Sequence, residues 1–435
     1  MTTNDQTFSL RHHLIRGAFG SLILKLGQTA ITLILAVILA RMLGAEGFGI
    51  YAFCISIVNL LTVPAMMGGQ NLLVREIAVY NVKGQYHFLR GIIKQMRWAS
   101  ITASFAIAFF GAGIGLWVYQ GTRMQTPFLI SMAIIPFVTA MNLQGALLRG
   151  LRYILLGRAN LALLPFLAIL LIYGVILFPG VKLDPVSTLG AYGLSAGILV
   201  VIGFFLILRL LPHEAKTEKP EYETSRWIKS MLPFIFAGGM QVVNKEASIV
   251  FLGIMQDAGS VGLFRVAQRG AELIPFGLIA VNMAIAPTVS GLYAKGDMQR
   301  LQYIINKSII PITYFAATVT AVLIISGKWF LPIIFGQEFV SAYKILVILC
   351  IGQLVNALTG SAALVMNMIG MELIVARGMA IASLVSIVLN LTLIPSLGAT
   401  GAAIASSTSL IVLNISMFIY LYRKTGVFTA IHGYY

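Results

Sequence analysis

The stretch ILLGRANLALLPFLAILLIYGVILF, residues 154–178, decides the fold class of this chain. It carries a single charged side chain, Arg158, and is otherwise apolar or uncharged throughout. The hydrocarbon core of a bilayer is about 30 Å thick, and a helix crosses it with about 20 apolar residues. Lipid offers no hydrogen-bond partners to bare backbone groups, so such a segment crosses as a helix. We therefore predict a membrane-spanning helix over 154–178.

The rest of the chain has the same character. Of its 435 residues, 59% are hydrophobic and only 10% are charged. A soluble domain has roughly 25% charged residues, so most of this surface is suited to lipid. We predict an all-α integral membrane protein with about twelve transmembrane helices. The predicted spans are 17–42, 47–68, 93–119, 126–148, 154–178, 188–211, 228–255, 262–288, 304–326, 340–369, 374–395 and 399–422.

The lysines and arginines fall mostly on one side of these spans. With the N-terminus inside, 22 of the 30 basic residues lie on the inner side. Five lie on the outer side, namely Arg41, Arg123, Lys182, Lys328 and Lys344, and three lie within spans, namely Lys245, Arg265 and Arg269. Because basic residues concentrate in cytoplasmic loops, we predict that both termini are cytoplasmic. The net charge of +16 then reflects membrane orientation, and no nucleic-acid partner is expected.

Two short matches indicate an internal duplication. The segment 80–85, YNVKGQ, is similar to 293–297, YAKGD, and the segment 189–193, LGAYG, is similar to 397–401, LGATG. The offsets are about 212 and 208 residues, half of the chain. Six spans per half would insert both halves in the same direction, as a parallel repeat. We predict an N-terminal six-helix lobe over 1–211, a polar cytoplasmic linker over 212–226 and a C-terminal six-helix lobe over 227–435.

Charged residues in the eighth predicted span are the first candidates for substrate binding. Arg265, Arg269 and Glu272 lie at positions i, i+4 and i+7, on one helical face. Charges are costly in lipid, so this face is expected to line a cavity in the protein. Arginine also presents planar, bidentate donors to phosphate. In the alternative interpretation, the end of this helix is simply exposed to water and Arg269 pairs with Glu272.

Two further polar stripes complete the predicted cavity. The seventh span carries Gln241, Asn244 and Lys245, and the first span carries Lys25 and Gln28. Gln28 and Gln241 lie 213 residues apart, in register with the duplication. Alternatively, Lys245 supports local helix packing together with Glu246, and Lys25 extends its side chain to the cytoplasmic surface.

Other chemistries find little support. The two cysteines lie inside apolar runs, and the five histidines are scattered without metal-ligand spacing. No GxxxxGK[ST] segment for ATP is present, and the predicted outer loops are too short to hold a catalytic set. We therefore expect no catalytic residues, no metal and no cofactor, which favours a transporter over an enzyme.

The first span ends in ARMLGAEGFGIY, residues 40–51, which resembles the signature of the Wzx-like polysaccharide flippases. That family belongs to the superfamily of the MATE multidrug exporters and the lipid II flippases. The opening of the last span, LGATGAA at 397–403, resembles the same family. The resemblance implies a MATE-like fold of two six-helix lobes, related as a parallel repeat, around a central cavity.

The resemblance also implies a function. Such proteins move undecaprenyl-pyrophosphate-linked oligosaccharide from the inner to the outer leaflet of the bacterial inner (plasma) membrane, for O-antigen, capsule or exopolysaccharide. They work by alternating access, often with H⁺ or Na⁺ coupling. The partners expected are the lipid-linked oligosaccharide, membrane lipids and polysaccharide assembly proteins. A MATE-type multidrug exporter is one alternative, although cationic drugs favour acidic cavities. A membrane polysaccharide polymerase or ligase is another.

Overall fold

The structure is a computed structural model that describes residues 3–177 and 183–430, with side chains described from Ile23 onward. All of its regular elements in these ranges are helical. They are α1 (Thr3–Met66), α2 (Gly69–Lys83), α3 (Tyr86–Val118), α4 (Gln125–Gly150), α5 (Ile154–Leu177), α6 (Pro185–Leu210), α7 (His213–Thr217), α8 (Thr224–Met255), α9 (Ala258–Ala271), α10 (Phe276–Ala294), α11 (Met298–Phe335), a 3₁₀ helix (Gln337–Ser341), α12 (Ala342–Leu358), α13 (Ala362–Met368) and α14 (Glu372–Thr425).

Nine helical segments among the described residues are long and apolar enough to cross a membrane. Two of them, Ile23–Met66 and Glu372–Thr425, are 44 and 54 residues long. Their backbone is non-helical at Gly44 and Gly398, so each segment contains two helical arms that can both cross. With α8, which carries the predicted polar stripe, these segments account for the twelve predicted spans. The outer-side Lys182 lies outside the described residues, as do the side chains of the basic N-terminal segment.

The chain forms two compact units, which we describe separately. Unit 1 contains Met1–Ala36 and Cys54–Gly239, and unit 2 contains Val37–Phe53 and Met240–Tyr435. Each boundary falls inside a helix, in α1 and in α8. The predicted division into lobes at 1–211 and 227–435 stays a prediction.

Unit 1 is built around α4. This helix packs against α2, α3, α5 and α6, and 15 of its 26 residues are buried. Glycines allow its closest approach to α5, since a Cβ built on Gly157 would lie 2.5 Å from the Gly145 carbonyl oxygen. An apolar cluster that includes Leu72, Ile92 and Trp227 joins α2, α3 and α4 to the start of α8.

The polar segment 212–226 is fixed against this cluster. Trp227 Nε1 donates to the Tyr80 hydroxyl at 3.0 Å, and that hydroxyl donates to Glu223 at 2.8 Å. Burial raises the pKa of Tyr80 to about 12, so the hydroxyl keeps its proton for Glu223. The Glu221 N–H donates to the His87 carbonyl at 3.1 Å. The segment predicted as a linker is therefore anchored on unit 1.

Unit 2 is built around α12, which packs against α9, α11 and α14. A second apolar cluster, which includes Ile305, Val365, Met366 and Leu421, joins α11, α13 and α14. The predicted tenth span, 340–369, is interrupted between α12 and α13 at residues 359–361. The prediction of one continuous helix there was wrong, because the turn at Gly360 adopts a left-handed conformation with φ of 69°.

One of the two sequence matches falls on equivalent helix ends. Gly84 follows α2 and Gly296 follows α10, both with left-handed backbone, at φ of 67° and 72°. Each is followed by a long helix, α3 or α11. The other match differs, because Gly190 lies inside the continuous helix α6 whereas Gly398 marks the non-helical point of α14.

Candidate functional site

The charged residues of the predicted cavity are placed by α8, α9 and the turn that follows α9. Asp257 caps the N-terminus of helix α9, and its carboxylate accepts a hydrogen bond from the Ser260 N–H at 2.8 Å. That hydrogen bond holds the pKa of Asp257 below its usual value. Helix α9 ends at Ala271, and a turn over 272–275 separates it from α10.

This turn corrects the prediction of a continuous span over 262–288. Proline has no N–H to donate and disfavours helical backbone in the residue before it. Pro275 stands at the start of α10, and the chain turns just before it. Interrupted helices are used in transporters to form binding sites, because the helix ends leave polar groups available.

Five ionisable residues lie together here and form what we call the charge cluster: Lys245, Glu246, Arg265, Arg269 and Glu272. All five belong to unit 2. At full ionisation, three positive and two negative groups leave one net positive charge. The cluster contains four of the predicted site residues, together with Glu246.

The deepest part of the cluster is an ion pair between α8 and α9. Arg265 Nη1 lies 3.3 Å from a Glu246 carboxylate oxygen, and the two side chains are only 5% and 2% exposed. The same Nη1 donates to Gln268 at 2.9 Å, and the Gln268 amide in turn donates to the Lys245 carbonyl at 3.3 Å. Buried charges require such partners, since an isolated ion in this environment would be strongly destabilising.

A second pair lies one helical turn further along α9. Arg269 donates to Glu272 at 2.7 Å, and these side chains are 17% and 23% exposed. This is the pairing named in the alternative interpretation. It differs from the first pair in remaining partly accessible. The position of Arg269 in the last turn of α9 is also favourable, because the helix dipole is negative there.

The most exposed charge of the cluster is that of Lys245. Lys245 and Gln241 lie four residues apart on α8, and both are exposed. Lys245 makes no ion pair with any residue that the structure describes, although it lies close enough to act electrostatically on Glu272. Its neighbour Glu246 is instead taken up by Arg265. Lys245 is therefore exposed at the surface of unit 2, whereas both arginines of the cluster are paired with glutamates and less exposed.

Asn244 has a different environment from Lys245. Its side-chain amide donates to the Met240 carbonyl at 2.9 Å and to the Met379 carbonyl of α14 at 3.0 Å. One turn further on, Ser248 and Ser406 share a hydrogen bond of 2.7 Å. These contacts join α8 to α14, as uncharged polar residues often do in membranes. A substrate contact by Asn244 stays a prediction.

The candidates of the first span lie in unit 1, in the part of α1 before Ala36. Lys25 is exposed and Gln28 is half-buried. The structure does not group them with the charge cluster inside one unit. Their contribution to a common cavity stays a prediction.

The segment 40–51 supports the charge cluster from within unit 2. A Cβ built on Gly49 would lie 1.6 Å from the Ala258 carbonyl oxygen, and one on Gly262 would lie 2.2 Å from the Ala45 carbonyl oxygen. The second arm of α1 and helix α9 thus touch through their backbones. Tyr51, two residues after Gly49, is buried and lies within electrostatic range of Arg265 and Arg269. Small residues in this motif therefore set where α9 and its arginines lie.

The other end of the motif is held by polar contacts to the end of α11. Arg41 Nε donates to the Ile334 carbonyl at 2.7 Å, and its Nη2 donates to the Ile333 carbonyl. The Ala45 N–H donates to Glu338 at 2.7 Å, immediately after the bend at Gly44. Arg41 therefore stabilises a helix end, where free carbonyl groups need donors.

Sequence reasoning missed Gln268, which bridges Arg265 to the Lys245 backbone. Its spacing of three residues from Arg265 on the same helix could have indicated it. The pairing of Glu246 with Arg265 had no comparable signal, because the two residues belong to different helices. Within the described ranges, no group of three or more His, Cys, Asp or Glu side chains could hold a metal ion.

Residues 14–293 match the family of polysaccharide biosynthesis proteins. The chain belongs to this family. A curated relative is the probable low-salt glycan biosynthesis flippase Agl15 of Haloferax volcanii, 22% identical over 367 residues, which cover 82% of this chain and 72% of that protein. The family membership agrees with the resemblance found in residues 40–51.

Solved structures show the same fold. An inward-facing multidrug resistance MATE family transporter of the MOP superfamily matches with a TM-score of 0.71 and 14% identity, over 91% of this chain and 94% of that chain. The lipid II flippase MurJ, in an inward closed conformation, matches with a TM-score of 0.70 and 13% identity, over 92% and 86%. This polysaccharide biosynthesis protein therefore has a MATE-like, all-helical membrane fold.

Proposed function

We propose that this protein is a flippase that moves a lipid-linked oligosaccharide across the membrane for surface polysaccharide biosynthesis. The family, the flippase relative in Haloferax volcanii and the fold shared with the lipid II flippase support this assignment. A flippase transfers its cargo without breaking a bond. It therefore needs a polar surface for the head group, and the charge cluster offers one.

The observation that carries the proposal is the exposed ammonium of Lys245, which makes no ion pair with any described residue and supplies the net positive charge of the charge cluster. A pyrophosphate head group is anionic and requires a cationic contact. Arg265 is buried in its pair with Glu246, so it acts mainly by holding α8 and α9 together. Lys245 makes the direct contact, Gln241 lies beside it on the same face, and Arg269 adds positive potential from behind. This refines the earlier expectation that Arg265 and Arg269 bind the phosphates themselves.

We further propose that the protein lies in the bacterial inner membrane with both termini in the cytoplasm. The cargo is then an undecaprenyl-pyrophosphate-linked oligosaccharide, received from cytoplasmic enzymes and delivered to polysaccharide assembly proteins outside. The distribution of basic residues supports this orientation. Coupling to an H⁺ or Na⁺ gradient stays a prediction.

A multidrug exporter is the second candidate, because the fold is shared with a MATE transporter. Cationic drugs would be attracted by unpaired carboxylates. In the charge cluster, both carboxylates are paired with arginines and the accessible charge is positive. The sign of the accessible charge therefore favours an anionic cargo.

The test measures lipid-linked sugars and surface polysaccharide in cells that lack this protein and are complemented with variants. We expect the deletion to accumulate complete lipid-linked repeat units in the inner leaflet and to lose surface polysaccharide. Lys245→Arg should restore transport because the charge is kept. Lys245→Glu should lower transport at least 10-fold because the anionic head group is repelled.

Lys229→Glu is the matched control, since Lys229 is an exposed lysine on the same helix but far from the charge cluster. It should transport normally at equal protein levels. Normal transport by Lys245→Glu would refute the role of Lys245 and leave the flippase assignment standing. Normal surface polysaccharide in the deletion, with altered sensitivity to cationic drugs, would refute the assignment itself.

A further inference from the structure

The N-terminal part of the chain contains a long stretch without acidic residues. From Ile77 through Leu183, 107 residues, there is no aspartate or glutamate, yet there are nine lysines and arginines. Three of these nine, Arg149, Arg152 and Arg158, occur at the turn between α4 and α5. Positive charge at this turn therefore has no nearby acidic residue in the sequence to balance it.

The structure brings two of these arginines together. A Cβ built on Gly157 would lie 2.7 Å from Cγ of Arg149, so the stem of Arg149 rests on the first turn of α5, at the residue that precedes Arg158. Both arginines are half-buried, and their like charges lie within electrostatic range of each other. Proximity of two guanidinium groups is unfavourable unless an anion lies between them.

Backbone hydrogen bonds fix the conformation of the turn between the two arginines. The Arg152 N–H donates to the Arg149 carbonyl at 3.0 Å, and the Tyr153 N–H donates to the Leu148 carbonyl at 2.9 Å. Arg152 itself adopts a left-handed conformation with φ of 71°, which ends α4. The spacing between Arg149 and Arg158 is thus set by the backbone and does not depend on a flexible loop.

Neither guanidinium has a partner among the residues that the structure describes. Within the ranges that the structure describes, Arg149 and Arg158 form no ion pair and donate no side-chain hydrogen bond. Every other half-buried or buried arginine discussed above is paired with a carboxylate. The ten N–H donors of the two side chains are therefore available to a ligand or to water, and guanidinium groups match the oxygen geometry of phosphate.

We propose that Arg149 and Arg158 form a binding site for a phosphate group at the membrane surface, supplied by an anionic lipid. The two helices that meet at this turn are both candidate spans, Gln125–Gly150 and Ile154–Leu177. The turn therefore lies at the depth of the lipid head groups. The site belongs to unit 1, is separate from the charge cluster and does not rest on the proposed transport function.

The apolar side chains around the turn favour a lipid over a soluble phosphate. Tyr153, Ile154 and Leu156 are each 41% exposed, immediately between the two arginines in sequence. Moving apolar surface from water to acyl chains is favourable in free energy, so these side chains favour contact with lipid. A lipid satisfies both parts of this surface at once, with its phosphate on the arginines and its chains on the apolar residues.

The experiment follows the thermal unfolding of the full-length protein in a neutral detergent. Phosphatidylglycerol, oleate or inorganic pyrophosphate is added at equal charge. A ligand that binds only the folded state raises the unfolding temperature. We expect phosphatidylglycerol to raise it by several degrees in the wild type and to have no effect on Arg158→Gln. Without lipid, Arg158→Gln should unfold no earlier than the wild type, because the repulsion between the two arginines is removed.

Arg97→Gln is the matched control, because it removes one charge from an exposed arginine of the same acid-free stretch. It should respond to phosphatidylglycerol like the wild type. Arg158→Lys, which keeps the charge but not the bidentate geometry, covers the case in which Arg158→Gln fails to fold and should respond weakly. Stabilisation by pyrophosphate alone would uphold the phosphate site but assign it a soluble ligand. An equal effect of oleate, or a full response of Arg158→Gln or Arg158→Lys, would overturn the proposal.

Discussion

Arg265 and Arg269 are chemically identical residues, one helical turn apart on α9, and the structure gives them different environments. Arg265 is 5% exposed and paired with Glu246 across two helices. Arg269 is 17% exposed and paired with Glu272, the first residue of the turn after α9. Removing one member of a buried ion pair leaves the other charge unpaired, which typically costs about 3–5 kcal/mol. The two arginines should therefore respond differently to substitution.

We predict that Glu246→Gln lowers the free energy of unfolding by roughly 3–5 kcal/mol and that Arg265→Gln does the same. The double variant, Glu246→Gln with Arg265→Gln, should recover most of this loss because no unpaired charge remains. Unfolding in detergent, followed by circular dichroism, measures all three variants as a double-mutant cycle. Glu272→Gln is the comparison and should cost less, since Glu272 and its partner Arg269 both reach solvent.

A double variant as unstable as either single variant would contradict the pairing. If the double variant folds, its transport activity also decides what Arg265 does. Retained transport would assign Arg265 to structure alone. Lost transport in a folded protein would show that it contributes charge to the path of the substrate.

At the scale of elements, the tripeptide Leu-Gly-Ala occurs three times and is used in two ways. In 43–45 and 397–399 it forms a bend, with Gly44 at φ of 68° and Gly398 at φ of 54°. In 189–191 it lies within the continuous helix α6. Positive φ is accessible to glycine but strained for residues that carry a Cβ. Identical local sequence therefore forms a bend or a helix according to its surroundings.

We predict that Gly44→Ala and Gly398→Ala each destabilise the protein by about 1–3 kcal/mol, the usual cost of a strained backbone conformation. Gly44→Ala should be the worse of the two, because its Cβ would lie 3.0 Å from a Glu338 carboxylate oxygen. Thermal unfolding of the purified variants measures the effect. Gly190→Ala is the matched control, since nothing lies within 4 Å of its Cβ. It should be neutral or stabilising by up to about 1 kcal/mol, and equal losses at all three positions would refute the distinction.

At the scale of the whole molecule, the order of the chain and its packing do not coincide. Residues 37–53 pack with the C-terminal part of the chain in unit 2, while the residues on both sides of them belong to unit 1. The orientation of the molecule, in contrast, depends on where its basic residues lie along the chain. The expectation of cytoplasmic termini places the turn after α2 inside and the turn after α3 outside.

We predict that Thr122→Cys is labelled in intact cells by a membrane-impermeant maleimide, whereas Val82→Cys is labelled only after the cells are permeabilised. Both positions are exposed and neither is charged, so the substitutions leave the basic residues unchanged. The native Cys54 and Cys350 are free and buried and should give little background. The unmodified protein is the control, and the reverse labelling pattern would show that the orientation is inverted.

The fold class and most of the membrane spans could be predicted from the sequence, and the family could be recognised from a short motif. A single membrane span must satisfy its own backbone hydrogen bonds, as a helix does, and must carry mainly apolar side chains. Each segment of about 20 residues has to meet these two requirements by itself. These requirements concern only local sequence, so residues 154–178 alone indicate a helical membrane protein. Pro275 gave the break before it a local signal. That signal was not sufficient by itself, because Pro136 and Pro165 lie inside the continuous helices α4 and α5.

Only the tertiary structure decided which charges meet. Glu246 adjoins Lys245 in the sequence, yet it pairs with Arg265 on another helix and leaves Lys245 accessible. Arg149 and Arg158 are brought within electrostatic range of each other by the close approach of α4 and α5 at Gly157. Such pairs depend on how helices pack at ångström distances. No local sequence pattern predicts that packing, because the ion-pair partner of a side chain depends on distance in space and not on separation along the chain.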